Sequence, residues 1–313
     1  MQQTSTSEAS PIPDAPRLRR SLPVALLLAL RPKQWTKNLL LFAGLVFTAN
    51  RSHPSHDFQQ ALGAFAIFCL LSGCAYLLND LQDIEADRQH PKKRLRPIAS
   101  GDLPPNIAWA FFAVATPLAL FLAWRLSPIE PLFLVIAGLY FIVTVTYSFQ
   151  LKHIVLLDVL ALASGFVLRA AAGAVAIGVE PSVWLLLCTF LLALFLGLTK
   201  RRSEIIALGD RPSTRRVLTE YSLPMLDQMI NIVASACLMA YSLYTFNSVT
   251  AGKRHYLMAT IPFVLYGLFR YLYLSHRKGM GEAPEAVLVE DKPLLINILL
   301  YVLIALLAVR FGQ

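Results

Sequence analysis

Apolar runs of membrane length alternate with polar connections along this chain. A spanning helix needs roughly 20 mostly apolar residues. Nine segments meet that need: residues 22–47, 58–79, 105–124, 130–148, 155–177, 182–199, 225–246, 256–274 and 293–311. They predict an all-α integral membrane protein, a bundle of nine transmembrane helices. The bundle forms one domain over residues 17–313, because no connection is long enough to hold another fold. Residues 1–16, rich in Ser, Thr and Pro, predict a disordered tail without the pattern of a cleaved signal peptide. The longest connections, 80–103, 200–224 and 275–292, all fall on one side of this topology.

Composition sharpens the class. The hydrophobic fraction is 56%, the charged fraction 15% and the mean hydropathy +0.57, outside the range of an ordinary soluble domain and as expected for a chain whose main solvent is a lipid bilayer. A net charge of +9 would by itself suggest nucleic acid, but the basic residues cluster in alternate connections. One side holds Arg88, Lys92, Lys93, Arg94, Arg96, Lys152, Lys200, Arg201, Arg202, Arg211, Arg215, Arg216, Arg277, Lys278 and Lys292. The other holds Arg51, Arg125, Lys253 and Arg254. This is the positive-inside asymmetry, so the charge is largely topological, no nucleic-acid partner is expected, and the first side is cytoplasmic. Cys69, Cys74, Cys188 and Cys237 lie inside apolar segments without metal-ligand spacing and read as packing residues.

The strongest chemical signal follows the second segment, in Asn79-Asp80-Leu81-Gln82-Asp83-Ile84-Glu85-Ala86-Asp87. On a helix, Asp80, Asp83 and Asp87 stand at i, i+3 and i+7 and project from one face. Crowded carboxylates need positive compensation, and hard oxygens at this spacing suit Mg²⁺, which binds through few protein ligands plus substrate phosphates. Asn79 adds a neutral donor. Glu85 lies off the shared face and reads as a salt-bridge partner. An acidic helix end neutralised by the following basic run is the plainer alternative. Acidic groups near membrane depth are costly, which favours a functional site.

The next run, His90-Pro91-Lys92-Lys93-Arg94-Leu95-Arg96-Pro97, carries cations that serve either as membrane-side anchors or as phosphate ligands. Pro97 and Gly101 predict a fixed turn before the third segment. A second cluster joins Tyr147 and Lys152 to Asp158, with Arg169 eleven residues further on the same helical face. Asp158 and Arg169 need partners inside the bundle, either as a structural ion pair or as part of a metal or substrate site. Lys200 and Arg201, with Glu204 and Tyr221, form a third group that would grip a terminal phosphate if its loop folds over a cavity. Gly138, Gly165 and Gly173 read as small-residue packing positions.

The Asn-Asp-x-x-Asp-x-x-x-Asp run after the second segment and the Tyr-Ser-x-x-Leu-Lys run after the fourth resemble the UbiA superfamily of intramembrane prenyltransferases. The resemblance covers nearly the whole chain. Arg31-Pro32-Lys33-Gln34-Trp35-Thr36-Lys37-Asn38, the run from His90 to Gly101, Tyr147 to Lys152, Lys200-Arg201 with Glu204, and Pro284-Glu285 are most similar to the branch that transfers phosphoribosyl groups. Other members carry a second aspartate-rich motif near the start of the fifth helix, whereas here Asp158 stands alone until Glu180.

The resemblance implies a UbiA-like bundle with a cytoplasm-facing polar cavity, in the cytoplasmic (inner) membrane of a bacterium. It implies a pentosyl-transferring glycosyltransferase that uses 5-phosphoribosyl-1-diphosphate and a decaprenyl-type polyprenyl phosphate for cell-wall precursor synthesis. Mg²⁺ would sit on Asp80, Asp83 and Asp87, with Asn79 beside them. Lys33, Lys37, Lys92, Arg94, Arg96, Lys152, Lys200 and Arg201 would hold phosphates, and Tyr147, Asp158 and Arg169 would line the substrate site. Homo-oligomeric assembly is compatible with the resemblance, although no residue marks an interface. Prenyl transfer to an aromatic acceptor uses the same aspartates and stays open. So does a transporter, although transporters usually place charge at mid-membrane depth rather than at one face.

Overall fold

The structure, a computed structural model, describes residues 20–47, 55–90, 93–126, 131–209, 216–247, 255–278, 281, 287 and 290–311. The tail expected at 1–16 lies outside them, as do Lys92, Arg211, Arg215 and the Pro284-Glu285 pair.

Eight helices in the described residues are long and apolar enough to cross a membrane. They are built from α3 (Ser55–Gln82), α5 (Pro105–Leu126), α6 (Leu132–Phe149), α7 (Leu157–Ala176), α8 (Val183–Leu208), α9 (Leu223–Asn247), α10 (Ile261–Lys278, entered through a 3-10 turn at Tyr256–Thr260) and α11 (Lys292–Phe311). The shorter α4 (Ile84–Gln89) follows α3.

The first of the nine expected segments is not one helix. It is divided into α1 (Leu22–Ala29), a 3-10 stretch at Pro32–Phe42 and α2 (Ala43–Phe47). Pro32 disfavours the α conformation at the residue before it, and Arg31 adopts the left-handed region at φ 53°. α1 is thereby turned onto one end of the bundle, where Ala25 and Ala29 pack with Leu77, Leu81, Ile98 and Leu103. The 3-10 stretch enters between α3 and α7.

α7 is the central element, packing against α3, α6, α8 and the 3-10 stretch. Eight of its eleven buried residues are Ala or Gly, which allows close backbone approach where apolar lipid gives no hydrophobic drive between helices. At Gly173 a side chain would run into the Leu41 carbonyl of the 3-10 stretch. Gly138 and Gly165 meet no such backbone. One core gathers α3, α5, α6 and α7 around Phe68, Phe133 and Tyr140. Another gathers α7 to α11 around Phe195, Leu226, Ile230 and Leu274. Outward positions such as Val114, Val135, Ile142 and Leu303 are more than half exposed, a surface suited to lipid rather than water. The turn expected at Pro97–Gly101 is present: Leu103 N donates to Pro97 O and Gly101 has φ 82°.

Candidate functional site

The acid-rich run does not continue as one helix. α3 ends at Gln82, Asp83 is a bend, and α4 restarts at Ile84. The i, i+3, i+7 face is therefore split. Asp80 and Asp87 are 2% and 1% exposed, and Arg96 Nη1 donates to both, at 3.0 Å to Asp80 Oδ1 and 2.6 Å to Asp87 Oδ2. Arg31 also donates to Asp80 Oδ1 and stacks over Tyr76. Asp83 is turned the other way. It accepts from Asn79 Nδ2 at 3.1 Å and lies 3.7 Å from Lys152 Nζ. Glu85 pairs with Arg88 at 2.8 Å on the exposed side.

The other expected phosphate ligands are spread out. Lys33 and Arg94 are exposed, while Lys37 is half-buried, next to Asn38. Lys200 and Arg201 lie in α8, which continues to Leu208, rather than in a loop. Lys200 Nζ is 4.0 Å from Glu204.

Arg201 is 2% exposed and fully engaged. Its Nε donates to Asp158 Oδ2 at 2.6 Å, its Nη1 to Glu204 Oε2 at 2.6 Å and its Nη2 to Tyr147 Oη at 3.4 Å. Asp158 is 0% exposed, and its second oxygen accepts from Tyr221 Oη at 2.7 Å. The Tyr221 oxygen in turn accepts from the Leu156 backbone N–H, in a residue held at φ 67°. Burial, and then the bond to Asp158, pushes the Tyr221 phenol above its ordinary range.

Arg169 does not pair with Asp158. It lies 11 residues further along α7, about 16 Å at 1.5 Å per residue. There its Nε donates to Asn38 Oδ1 and its Nη2 to Tyr140 Oη, both at 2.7 Å. Asn38 Nδ2 reaches Cys69 Sγ and Ser72 Oγ at 3.3 and 3.4 Å. This buried layer ties the 3-10 stretch to α3, α6 and α7. All four cysteines are free thiols.

Polar groups thus collect at one end of the bundle, where α3 finishes, α6 turns into α7 through Leu151–His153, and α8 carries Arg201. Between the 3-10 stretch and α8 to α11 lies an apolar cavity of about 450 Å³, with Leu40, Trp184, Leu192, Phe263, Leu294 and Tyr301 in its wall.

The family model described as UbiA prenyltransferase family matches residues 39–308. The chain belongs to this family. Among UbiA relatives, it is 35% identical over 297 residues to the decaprenyl-phosphate phosphoribosyltransferase of Corynebacterium glutamicum, covering 93% of this chain and 88% of that one. To the enzyme of the same name from Mycolicibacterium smegmatis it is 32% identical over 312 residues, covering 95% of each. A UbiA homolog from Archaeoglobus fulgidus bound to GPP and Mg²⁺ superimposes with a TM-score of 0.66 at 18% identity, over 91% of this chain and 99% of that one. A digeranylgeranylglyceryl phosphate synthase structure gives 0.67 at 18%, over 92% and 98%. At such identity these two structures speak for the UbiA fold alone.

The donor set at the acidic end suits a hard divalent cation: three carboxylates and the Asn79 amide oxygen. Among the described residues they are not gathered into one metal-ready group: Asp83 is turned toward Asn79 and Lys152, and guanidinium groups stand against Asp80 and Asp87. Sequence reasoning did not single out Arg31, Asn38 or Tyr140 as site or network residues. The Arg31-Pro32 step, a basic residue at a helix break, was the available signal for the first. Asn38 closes the polar run that begins at Arg31, with nothing to set it apart from its neighbours, and Tyr140 carried no signal, being one polar residue in a long apolar segment.

Proposed function

We propose that this UbiA member transfers the 5-phosphoribosyl group of 5-phosphoribosyl-1-diphosphate to a decaprenyl-type polyprenyl phosphate. The products are polyprenyl-phosphoryl-ribose 5-phosphate and diphosphate. The observation that carries this reading is the 32–35% identity, over more than nine-tenths of the chain, to proteins named for that transfer. The site agrees chemically. One acid cluster sits among many cations, and the acid at the start of α7 is spent on internal bonds, whereas a donor with an extra phosphate calls for more Lys and Arg.

In this reading the polar end faces the cytoplasm of a bacterial inner membrane, where the soluble donor arrives. Asp80, Asp83 and Asp87, with Asn79, would hold Mg²⁺, which would neutralise charge on the departing diphosphate. Arg96 and Lys152, which pair with these carboxylates, would receive phosphate oxygens, and the exposed Arg94 and Lys33 would add to them. Lys200 extends the cationic surface along α8. The C1–O bond to diphosphate breaks as an oxygen of the lipid phosphate bonds to C1, and the electron pair leaves with diphosphate. That acceptor oxygen is already anionic at neutral pH, so no general base is needed. Tyr147 borders the site through its bond from Arg201, and Asp158 acts as a brace that fixes Arg201 and Tyr221. Arg169 anchors the buried layer beneath. The apolar cavity, within the usual size range of ligand pockets, takes part of the prenyl chain. The product would serve as a precursor in cell-wall arabinose supply.

Transfer of radiolabel from 5-phosphoribosyl-1-diphosphate to polyprenyl monophosphate by the detergent-purified protein tests this. Mg²⁺-dependent labelling of the lipid, abolished by Asp80→Ala and by Asp83→Ala, is expected. Folded protein that labels no lipid would refute the assignment, and activity with a prenyl diphosphate instead would replace it by prenyl transfer.

A further inference from the structure

We propose that Arg31 and Arg96 are resident counter-cations that occupy the Asp80 and Asp87 carboxylates until a metal–diphosphate complex arrives, then release them and turn to the diphosphate. The proposal rests on the functional reading above and adds an exchange of partners to it.

Three features carry it. The first is layering. The Asp80 and Asp87 side chains are each 2% exposed, whereas those of Arg31 and Arg96 are 26% and 24% exposed. The guanidinium groups therefore stand between the carboxylates and the solvent, so a cation entering from outside meets them before it meets either aspartate. The second is charge balance. Asp80, Asp83 and Asp87 are matched by Arg31, Arg96 and Lys152 in direct pairs. A divalent cation alone would add two charges to a balanced set, and a diphosphate alone would press against three carboxylates. Arriving together, each takes the partners that the other frees, and the guanidinium groups gain bidentate phosphate contacts for the carboxylate contacts they give up.

The third is that neither guanidinium is exhausted by these carboxylates. Arg31 already lies over the Tyr76 ring, 4.6 Å from its centroid, a station it keeps without Asp80. Arg96 spans two acids from a single nitrogen, Nη1. Metal and diphosphate affinities are then coupled, and by linkage each raises the other by the same factor.

The test is metal binding without donor. Mn²⁺ alone is titrated into the detergent-purified full chain, and free Mn²⁺ is read by electron paramagnetic resonance. Arg96→Gln and Arg31→Gln are expected to bind Mn²⁺ roughly tenfold more tightly than wild type, the size of one lost charge-assisted bond. Their KM for 5-phosphoribosyl-1-diphosphate should rise. Arg88→Gln removes the same charge from α4, but that arginine pairs with Glu85, so its affinity should stay near wild type. Adding Asp80→Asn should erase the gain. Arg96→Lys, which keeps the charge with a single ammonium, serves if the glutamine variant misfolds and should show an intermediate gain. Mn²⁺ affinity in Arg96→Gln and Arg31→Gln no higher than in Arg88→Gln overturns the exchange. If wild type labels lipid but no gain appears, only the exchange falls. If the gain appears without labelled lipid, the exchange stands for another diphosphate and the phosphoribosyl reading falls.

Discussion

Removing the Asp158 carboxylate should cost the protein stability before it costs chemistry. The side chain is 0% exposed, and its two oxygens are taken by Arg201 at 2.6 Å and Tyr221 at 2.7 Å. Asp158→Ala strands a guanidinium that is 2% exposed. Breaking one side of a buried ion pair costs about 3–5 kcal/mol. Glu204 still faces Arg201 at 2.6 Å, which places the loss toward the lower end, about 3 kcal/mol. If the loss is that of an uncompensated charge, removing the charge should restore part of it. Arg201→Met in the Asp158→Ala background should recover about 2 kcal/mol, because apolar replacement of both partners of a buried pair is often near neutral. The assay is unfolding of the four proteins of this double-mutant cycle in mixed detergent–dodecyl sulfate micelles, followed by tryptophan fluorescence. Asp158→Ala as stable as wild type, with metal-dependent transfer lost, would refute the brace and make Asp158 a ligand of metal or substrate. A double variant no more stable than Asp158→Ala would refute the electrostatic account.

Gly173→Ala would force a methyl group into the Leu41 carbonyl of the 3-10 stretch; overpacking of this kind costs about 1–3 kcal/mol, and fluorescence-detected size exclusion after heating should show a lower midpoint, while Gly138→Ala, with open space around it, should leave the midpoint unchanged. The raised Tyr221 phenol implies a stability term that is whole below the ordinary tyrosine pKa of about 10 and is lost as pH climbs through the raised value. Melting curves between pH 8 and 11 should therefore fall on the alkaline side in wild type and fall less in Tyr221→Phe.

The sequence by itself determined the all-helical membrane class and eight of the nine expected spans, because hydropathy over some 20 residues acts locally. The acidic run and Lys152 could be read in the same way, since each is a short polar stretch against an apolar background. What the sequence left open depended on neighbours far along the chain. Arg31 meets Asp80 across 49 positions, Arg201 meets Asp158 across 43, and Arg169 finds Asn38 across 131. Helical periodicity put three aspartates on one face, but the bend at Asp83 turned one of them toward Lys152. It aligned Asp158 with Arg169 as well, yet a helix face specifies only direction, and at about 16 Å apart each took a partner from another helix. The break at Arg31-Pro32 was written locally, whereas the entry of the following stretch against Gly173 was decided by packing, where one missing side chain lets two backbones touch.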